Sequence, residues 1–204
     1  SIAWTGHPHF RVIDNSTDFA NKLKRLKGEI ISFLGEDVPY EIERKFLIEY
    51  PNIEKLEKQQ NCQKVEIIQT YLKEKNGVET RIRQRGQNGN FTYSKTIKQK
   101  ITNRKRIETE ERISEKEYLT LLLDANTEKN QIRKTRYCLI YNNQYFEIDI
   151  YSFWKDKAIM EIELREENQK IDLPKQFKII REVTDDERFQ NSSLAKNKNV
   201  RELQ

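Results

Sequence analysis

With 204 residues the chain is sized for one domain with room for an appendage, and it can bury a real core. Charged and apolar residues each make up 35%, and because the apolar ones recur at strand and helix spacings, a disordered chain is excluded. The net charge of +5 points mildly to an anionic partner, while Cys62 and Cys138 lack the spacing of a disulfide framework or zinc site, and no apolar run reaches the roughly 18 residues of a membrane span.

The pattern along residues 1 to 38 differs from the rest. Phe10 to Asp14 reads as a short strand, and Asn15, Ser16, Thr17 and Asp18 offer helix caps. Phe19, Leu23, Leu26, Ile30 and Phe33 follow at helical intervals, predicting an amphipathic helix to about Leu34, closed by Gly35 and Pro39. Its apolar stripe suits docking on a neighbouring domain. His7 and His9 flank Pro8 without the rest of a metal-ligand set, and Trp4 and Trp154 read as packing residues.

From Tyr40 onward the signals are strands joined by tight turns. Glu41 to Phe46 opens the series. Val65 to Lys75 leads into Asn76-Gly77, and Val78 to Arg85 pairs back with it. Asn88-Gly89 turns the chain into Phe91 to Lys98, and the basic stretch Gln99 to Lys105 reads as a loop. Arg106 to Ile113 is a further strand, and Ser114 with Glu117 predicts a capping box for a helix to about Leu123. Ile132 to Tyr141 and Tyr145 to Tyr151 form a hairpin about Asn142-Asn143. Lys157 to Arg165 adds one strand, and the remainder reads as loop and short helix.

Several of these strands carry charge at alternate positions: Glu41/Glu43/Lys45, Arg81/Arg83/Arg85, Glu108/Glu110, Glu147/Asp149 and Glu161/Glu163. Alternate residues of a strand share a face, so each segment presents an ionic row on one side. A solvated strand face gives the same pattern singly. Repeated over about eight antiparallel strands, it predicts an α+β fold built on a closed eight-stranded barrel with a charged interior and helices packed outside. Ions withdrawn from water cost several kcal/mol each unless they are paired or metal-bound, so such a lining calls for a polyanion held by divalent cations.

The segment Glu41-Ile42-Glu43-Arg44-Lys45 resembles the E-x-E-x-K signature of the CYTH superfamily, the triphosphate tunnel metalloenzymes. The resemblance continues through Arg81-Ile82-Arg83, Tyr93-Ser94-Lys95, Glu108-Thr109-Glu110, Lys134-Thr135-Arg136-Tyr137, Glu147-Ile148-Asp149, Glu161-Ile162-Glu163 and Glu182 to Asp186, ending in Arg188 to Asn191. The signature alone is weak in a Lys- and Glu-rich chain, whereas the ordered series is specific.

The resemblance implies a triphosphate tunnel domain over residues 39–197. It implies that Lys45, Arg81, Arg83, Lys95 and Arg136 bind phosphate, with Lys98 close enough to exchange with Lys95 through a bulge. It further implies that Glu41, Glu43, Asp149, Glu161 and Glu163 hold Mg²⁺ or Mn²⁺, and that Glu41, Glu43, Lys45, Glu161 and Glu163 serve catalysis. Glu108, Glu110, Glu147 and Lys134 match further positions with less defined roles. The implied activity is metal-dependent hydrolysis of the terminal phosphate of an inorganic or organic triphosphate.

Residues 6 to 15 are similar to the closing strand of P-loop domains that precede a CYTH domain, although no G-x-x-x-x-G-K-[ST] loop is present. Residues 1–38 are therefore expected to be the tail of a preceding domain plus a linking helix, and 198–204 a tail. Ser1 and the single Met160 fit a start further upstream. The alternative is a non-catalytic triphosphate-binding or scaffold module within a larger ATPase–CYTH protein or assembly. Nucleic acid is disfavoured as a partner for want of a recognition helix or stacking motif. The expected setting is cytoplasmic and reducing.

Overall fold

In a computed structural model, residues 6–7, 10–13, 18–33, 42–74, 77–100, 106–164 and 168–196 are described, less the side chains at 21, 24, 31–33, 99–100 and 106–108. Glu41, Trp4, His9, the caps at 15–17, the helix stop at Gly35 and Pro39, Asn76, the 101–105 part of the basic stretch, Arg165 and the 198–204 tail lie outside those residues.

The strands form one antiparallel sheet: β1 (Ile42–Glu49), β2 (Cys62–Tyr71), β3 (Glu79–Gln87), β4 (Asn90–Lys100), β5 (Arg106–Ile113), β6 (Ile132–Tyr141), β7 (Gln144–Tyr151), β8 (Lys157–Leu164) and β9 (Ile179–Glu182). Their order is β5-β4-β3-β2-β6-β7-β8-β1-β9. Among the described residues there are thus nine strands where the sequence pattern suggests eight, and β5 and β9 end the order with no ladder joining them. The ninth is four residues long and pairs with β1 across a register shift at Leu47/Ile48, too short for a periodic signal. Phe10 to Ile13 form no strand.

Turn chemistry fixes the registers. Asn142 and Asn143 both adopt left-handed backbone, φ 47° and 59°, as a two-residue hairpin of the strands' own twist requires. Gly86 is demanded by close approach: a Cβ there would lie 1.9 Å from the Asn90 carbonyl oxygen across the β3–β4 ladder.

Among the described residues four α-helices accompany the sheet: α1 (Phe19–Phe33), α2 (Ile53–Glu57), α3 (Glu115–Leu121) and α4 (Asn191–Lys196). The Ser114 hydroxyl accepts from Glu117 N while the Glu117 carboxylate accepts from Ser114 N, the predicted capping box. On α1, Phe19, Leu23, Leu26 and Ile30 are all exposed.

The two faces of the sheet separate cleanly along β1 and β8. One carries Phe46, Ile48, Ala158, Met160, Ile162 and Leu164 into the largest apolar core, which Leu139, Phe146 and Ile148 extend and Leu56 of α2 and Phe177 cover. The other carries Glu43, Lys45, Glu161 and Glu163, and then turns apolar at one end. There Leu47, Ile159, Tyr151, Ile132 and Tyr71 pack with Trp154, Phe189 and the α4 residues Leu194 and Ala195. The sequence pattern predicts apolar side chains outside and charges inside. The structure adds an apolar stop on the charged side.

Candidate functional site

Cross-strand register brings the ionic rows together. On β6 and β7, Arg136 is the direct partner of Asp149 and Cys138 of Glu147; on β7 and β8, Glu147 opposes Glu161; on β8 and β1, Glu161 opposes Lys45 and Glu163 opposes Glu43. Residues so paired point to the same side of a sheet. Across β2, whose contribution here is Val65, Ile67 and Gln69, the row continues to Arg81, Arg83 and Arg85 of β3, then to Thr96 and Lys98 of β4 and Glu110 of β5.

The acidic half is tightly knit. Asp149 is fully buried and accepts from Arg136 Nε and Nη2, each at 2.6 Å, and from Lys134 Nζ. Burial alone would raise its pKa, but Arg136 and Lys134 hold it well below the carboxylate range. Arg136 also donates to Glu147, and to Glu161 at 3.1 Å. Lys45 lies between Glu43, 3.1 Å away, and Glu161, 3.0 Å away. Burial opposes its charge, yet Glu161 and Glu43 more than offset that and raise its pKa.

The basic half is different. Arg83 has only 15% of its side chain exposed; it donates to Gln69 Oε1 at 3.3 Å, and the Glu110 carboxylate is 4.0 Å away. Its Nε is buried without a hydrogen-bond partner, and so is Arg85 Nε. Burial first, then the charge of Arg81, press the Arg83 pKa down to about 10, with Arg136 and Arg85 adding to the effect and Glu110 opposing it. A guanidinium stays protonated at neutral pH regardless. The depressed value reflects burial of Arg83 beside like charges.

Of the predicted phosphate ligands, Lys45, Arg81, Arg83 and Arg136 therefore share this face. Lys95 is not brought there: it is the partner of Ile82 and Glu111 on the opposite side, and its ammonium lies 2.8 Å from Glu111. No bulge interrupts β4, so Lys98, three residues on, occupies the charged side opposite Glu79. Glu110 and Glu147 join the face, with Lys134 between Asp149 and the Tyr151 ring. The backbone of Glu108 continues the row, its side chain being outside the description, and Glu41 precedes the described strand. Arg85 and Thr96 complete the lining; Arg85 was legible as the next alternate residue after Arg83.

Carboxylate oxygens suit Mg²⁺ and Mn²⁺, and Glu43 stands opposite Glu163, a like-charged pair that a cation between them would relieve. No cluster of three metal-ligating side chains is assembled among the described residues. Asp149 is committed to Arg136 and Lys134, whereas Glu43 lies 3.1 Å from Lys45 and faces Glu163, so a hard cation would suit the Glu43–Glu163 pair better than Asp149.

The chain matches no protein-family model and no curated protein. Among solved structures it is similar to a crystal structure of the hypothetical protein NE1496, with TM-score 0.52 and 28% identity over 77% of this chain and 98% of that one. It is likewise similar to a crystal structure of the inorganic triphosphatase NE1496, with TM-score 0.51 and 28% identity over 77% and 95%. PH1819 from Pyrococcus horikoshii OT3 matches at TM-score 0.44 and 24% identity over 63% of this chain and 81% of that chain. The NE1496 matches support a CYTH-like fold. No helix among the described residues is long and apolar enough to cross a membrane.

Proposed function

We propose that this chain is a divalent-metal-dependent triphosphatase that hydrolyses the terminal phosphate of an inorganic or organic triphosphate on the charged face, with the sheet curled into a tunnel about it. The observation that carries the reading is the cluster of Arg81, Arg83 and Arg85 on β3, beside Arg136. Arg83 and Arg85 have buried Nε groups without acceptors, and Arg83 is electrostatically pressed by its neighbours. Such a cluster is relieved by an anion with several oxygens, and alternate positions along β3 space its guanidinium stems at about 6.6 Å. The likeness to the inorganic triphosphatase NE1496 supports the same class.

In this reading Arg81, Arg83 and Arg136 hold phosphoryl oxygens, with Lys98 rather than Lys95 as the β4 cation. Lys45 keeps Glu43 and Glu161 in place. Water adds to the terminal phosphorus, the bridging P–O bond breaks, and orthophosphate leaves from the shortened chain; charge stabilisation by fixed cations supplies the catalysis. Glu43 and Glu163 would hold Mg²⁺ or Mn²⁺, with Glu161 near them and Glu41 as a further proposed ligand, and the bound metal would neutralise phosphate charge and lower the pKa of water.

One observation favours the alternative, a binding module without turnover: Lys45 and Arg136 already neutralise much of the acidic half. Either reading is compatible with residues 1–38 being the tail of a preceding P-loop domain plus a linking helix, with a larger assembly and with a cytoplasmic setting, which stay proposals. The test is a panel of inorganic and organic triphosphates with Mg²⁺ or Mn²⁺, read as phosphate release. Release that Arg83→Ala abolishes supports the hydrolase. Binding without release leaves the module, and neither binding nor release removes both.

A further inference from the structure

The N-terminal residues touch the cationic face. Gly6 is buried, and its carbonyl accepts a 2.6 Å hydrogen bond from Arg85 Nη2. Its backbone is left-handed, φ 89°, and a Cβ there would lie 3.0 Å from Val65 Cγ2, with Gln63 Cβ and Cys138 Sγ next at 3.7 and 3.8 Å. All three belong to the Arg136 side of β2 and β6. Phe10 sets its ring 5.6 Å from that of Tyr145, the neighbour on β7 two positions before Glu147. Between these anchors Phe10 N donates to the His7 carbonyl at 3.0 Å, and Arg11 Nε lies 3.3 Å from Glu29 of α1.

Arg85 is one of the charges that press on Arg83. A peptide carbonyl offers it only a partial charge, and its Nε stays without an acceptor. A phosphate oxygen carries full negative charge and can take a guanidinium through two parallel hydrogen bonds, so a phosphate chain would outcompete Gly6 for this group.

We propose that Gly6 and Phe10 form an autoinhibitory strap on the charged face: the Gly6 carbonyl occupies Arg85, and a polyphosphate claims Arg85 and lifts the strap. The inference rests on the polyphosphate reading of the site and adds a fourth arginine to it. The strap lowers apparent affinity by the fraction of molecules in which it is seated. Because Arg11 meets Glu29, its release is coupled to α1.

The test uses the full chain as wild type, Gly6→Val, Phe10→Ala and the double variant Gly6→Val/Arg85→Ala. Binding of inorganic tripolyphosphate is measured by calorimetry, and amide exchange of residues 10–13 is followed on titration. A valine at position 6 is β-branched in left-handed backbone and collides with Val65, so it unseats the strap. The expected result is affinity about fivefold tighter or more for Gly6→Val, a smaller gain for Phe10→Ala and loss of the gain when Arg85 is also removed. In the wild type, tripolyphosphate should accelerate exchange at 10–13. Should Gly6→Val not fold, Phe10→Ala and the wild-type exchange decide the matter. Binding with equal affinity in all foldable forms and unaltered exchange overturns the strap and leaves the anion site standing. No binding in any form overturns both.

Discussion

Arg136 clasps Asp149 through two nitrogens, Nε to Oδ1 and Nη2 to Oδ2, both at 2.6 Å, with the two residues direct partners across the β6–β7 ladder. The pair is fully withdrawn from solvent on the Asp149 side, and Lys134 adds a second cation to the same carboxylate. Removing Asp149 would leave two buried cations facing each other. Asp149→Asn should therefore lower unfolding stability by about 3 kcal/mol or more, measured by urea unfolding at neutral pH. A loss under about 1 kcal/mol would show that Glu147 and Glu161 suffice as counterions.

The same carboxylates set an acid limit. Asp149 and Glu161 are held below their ordinary pKa; burial works against both, but Arg136 and Lys134 lower Asp149, and Lys45 leads the groups that lower Glu161. A depressed carboxylate stabilises the fold fully above its unfolded pKa, about 4, and that contribution fades as pH falls toward the folded value. The urea midpoint without divalent metal should be flat from pH 7 to about 5 and fall below about 4. A midpoint rising on acidification would contradict the assignment.

Arg83 should behave in the opposite sense to Asp149. Its charge is buried among like charges, so Arg83→Ala should cost little stability, yet remove a charge-assisted contact to the anion. Affinity for tripolyphosphate should drop by about tenfold or more, consistent with the ~1.5–3 kcal/mol of a hydrogen bond to a charged group. Calorimetric titration beside urea unfolding separates the two effects. Unchanged affinity would mean that the anion does not reach β3.

Lys95 and Lys98 give a test of facing. Lys98→Ala should weaken tripolyphosphate binding several-fold and shallow its salt dependence, whereas Lys95→Ala, which breaks the Lys95–Glu111 contact on the opposite side, should leave both unchanged. The reverse result would require β4 to be slipped by one residue.

The hairpins were legible because their turns are chemically explicit: Asn88-Gly89 and Asn142-Asn143 take the positive φ that only a few residues tolerate. The ionic face was legible because a period of two survives in each strand separately. The apolar stop was not, since Leu47 and Ile159 continue the parity of Lys45 and Glu161 but read as ordinary core residues. Lys95 was drawn to the face by a motif, while its parity with Ile82 argues the other way. Nothing near Gly6 in the sequence announces Arg85, because a contact between a backbone carbonyl and a residue 79 positions away leaves no local pattern.

The cluster of Leu47, Ile132, Tyr151, Phe189 and Leu194 has a consequence for traffic. In the proposed tunnel it would stop one end, so a long polymer could not thread through and would be trimmed only from its tip. Products of the proposed hydrolysis would then back out through the doorway by which substrate came in.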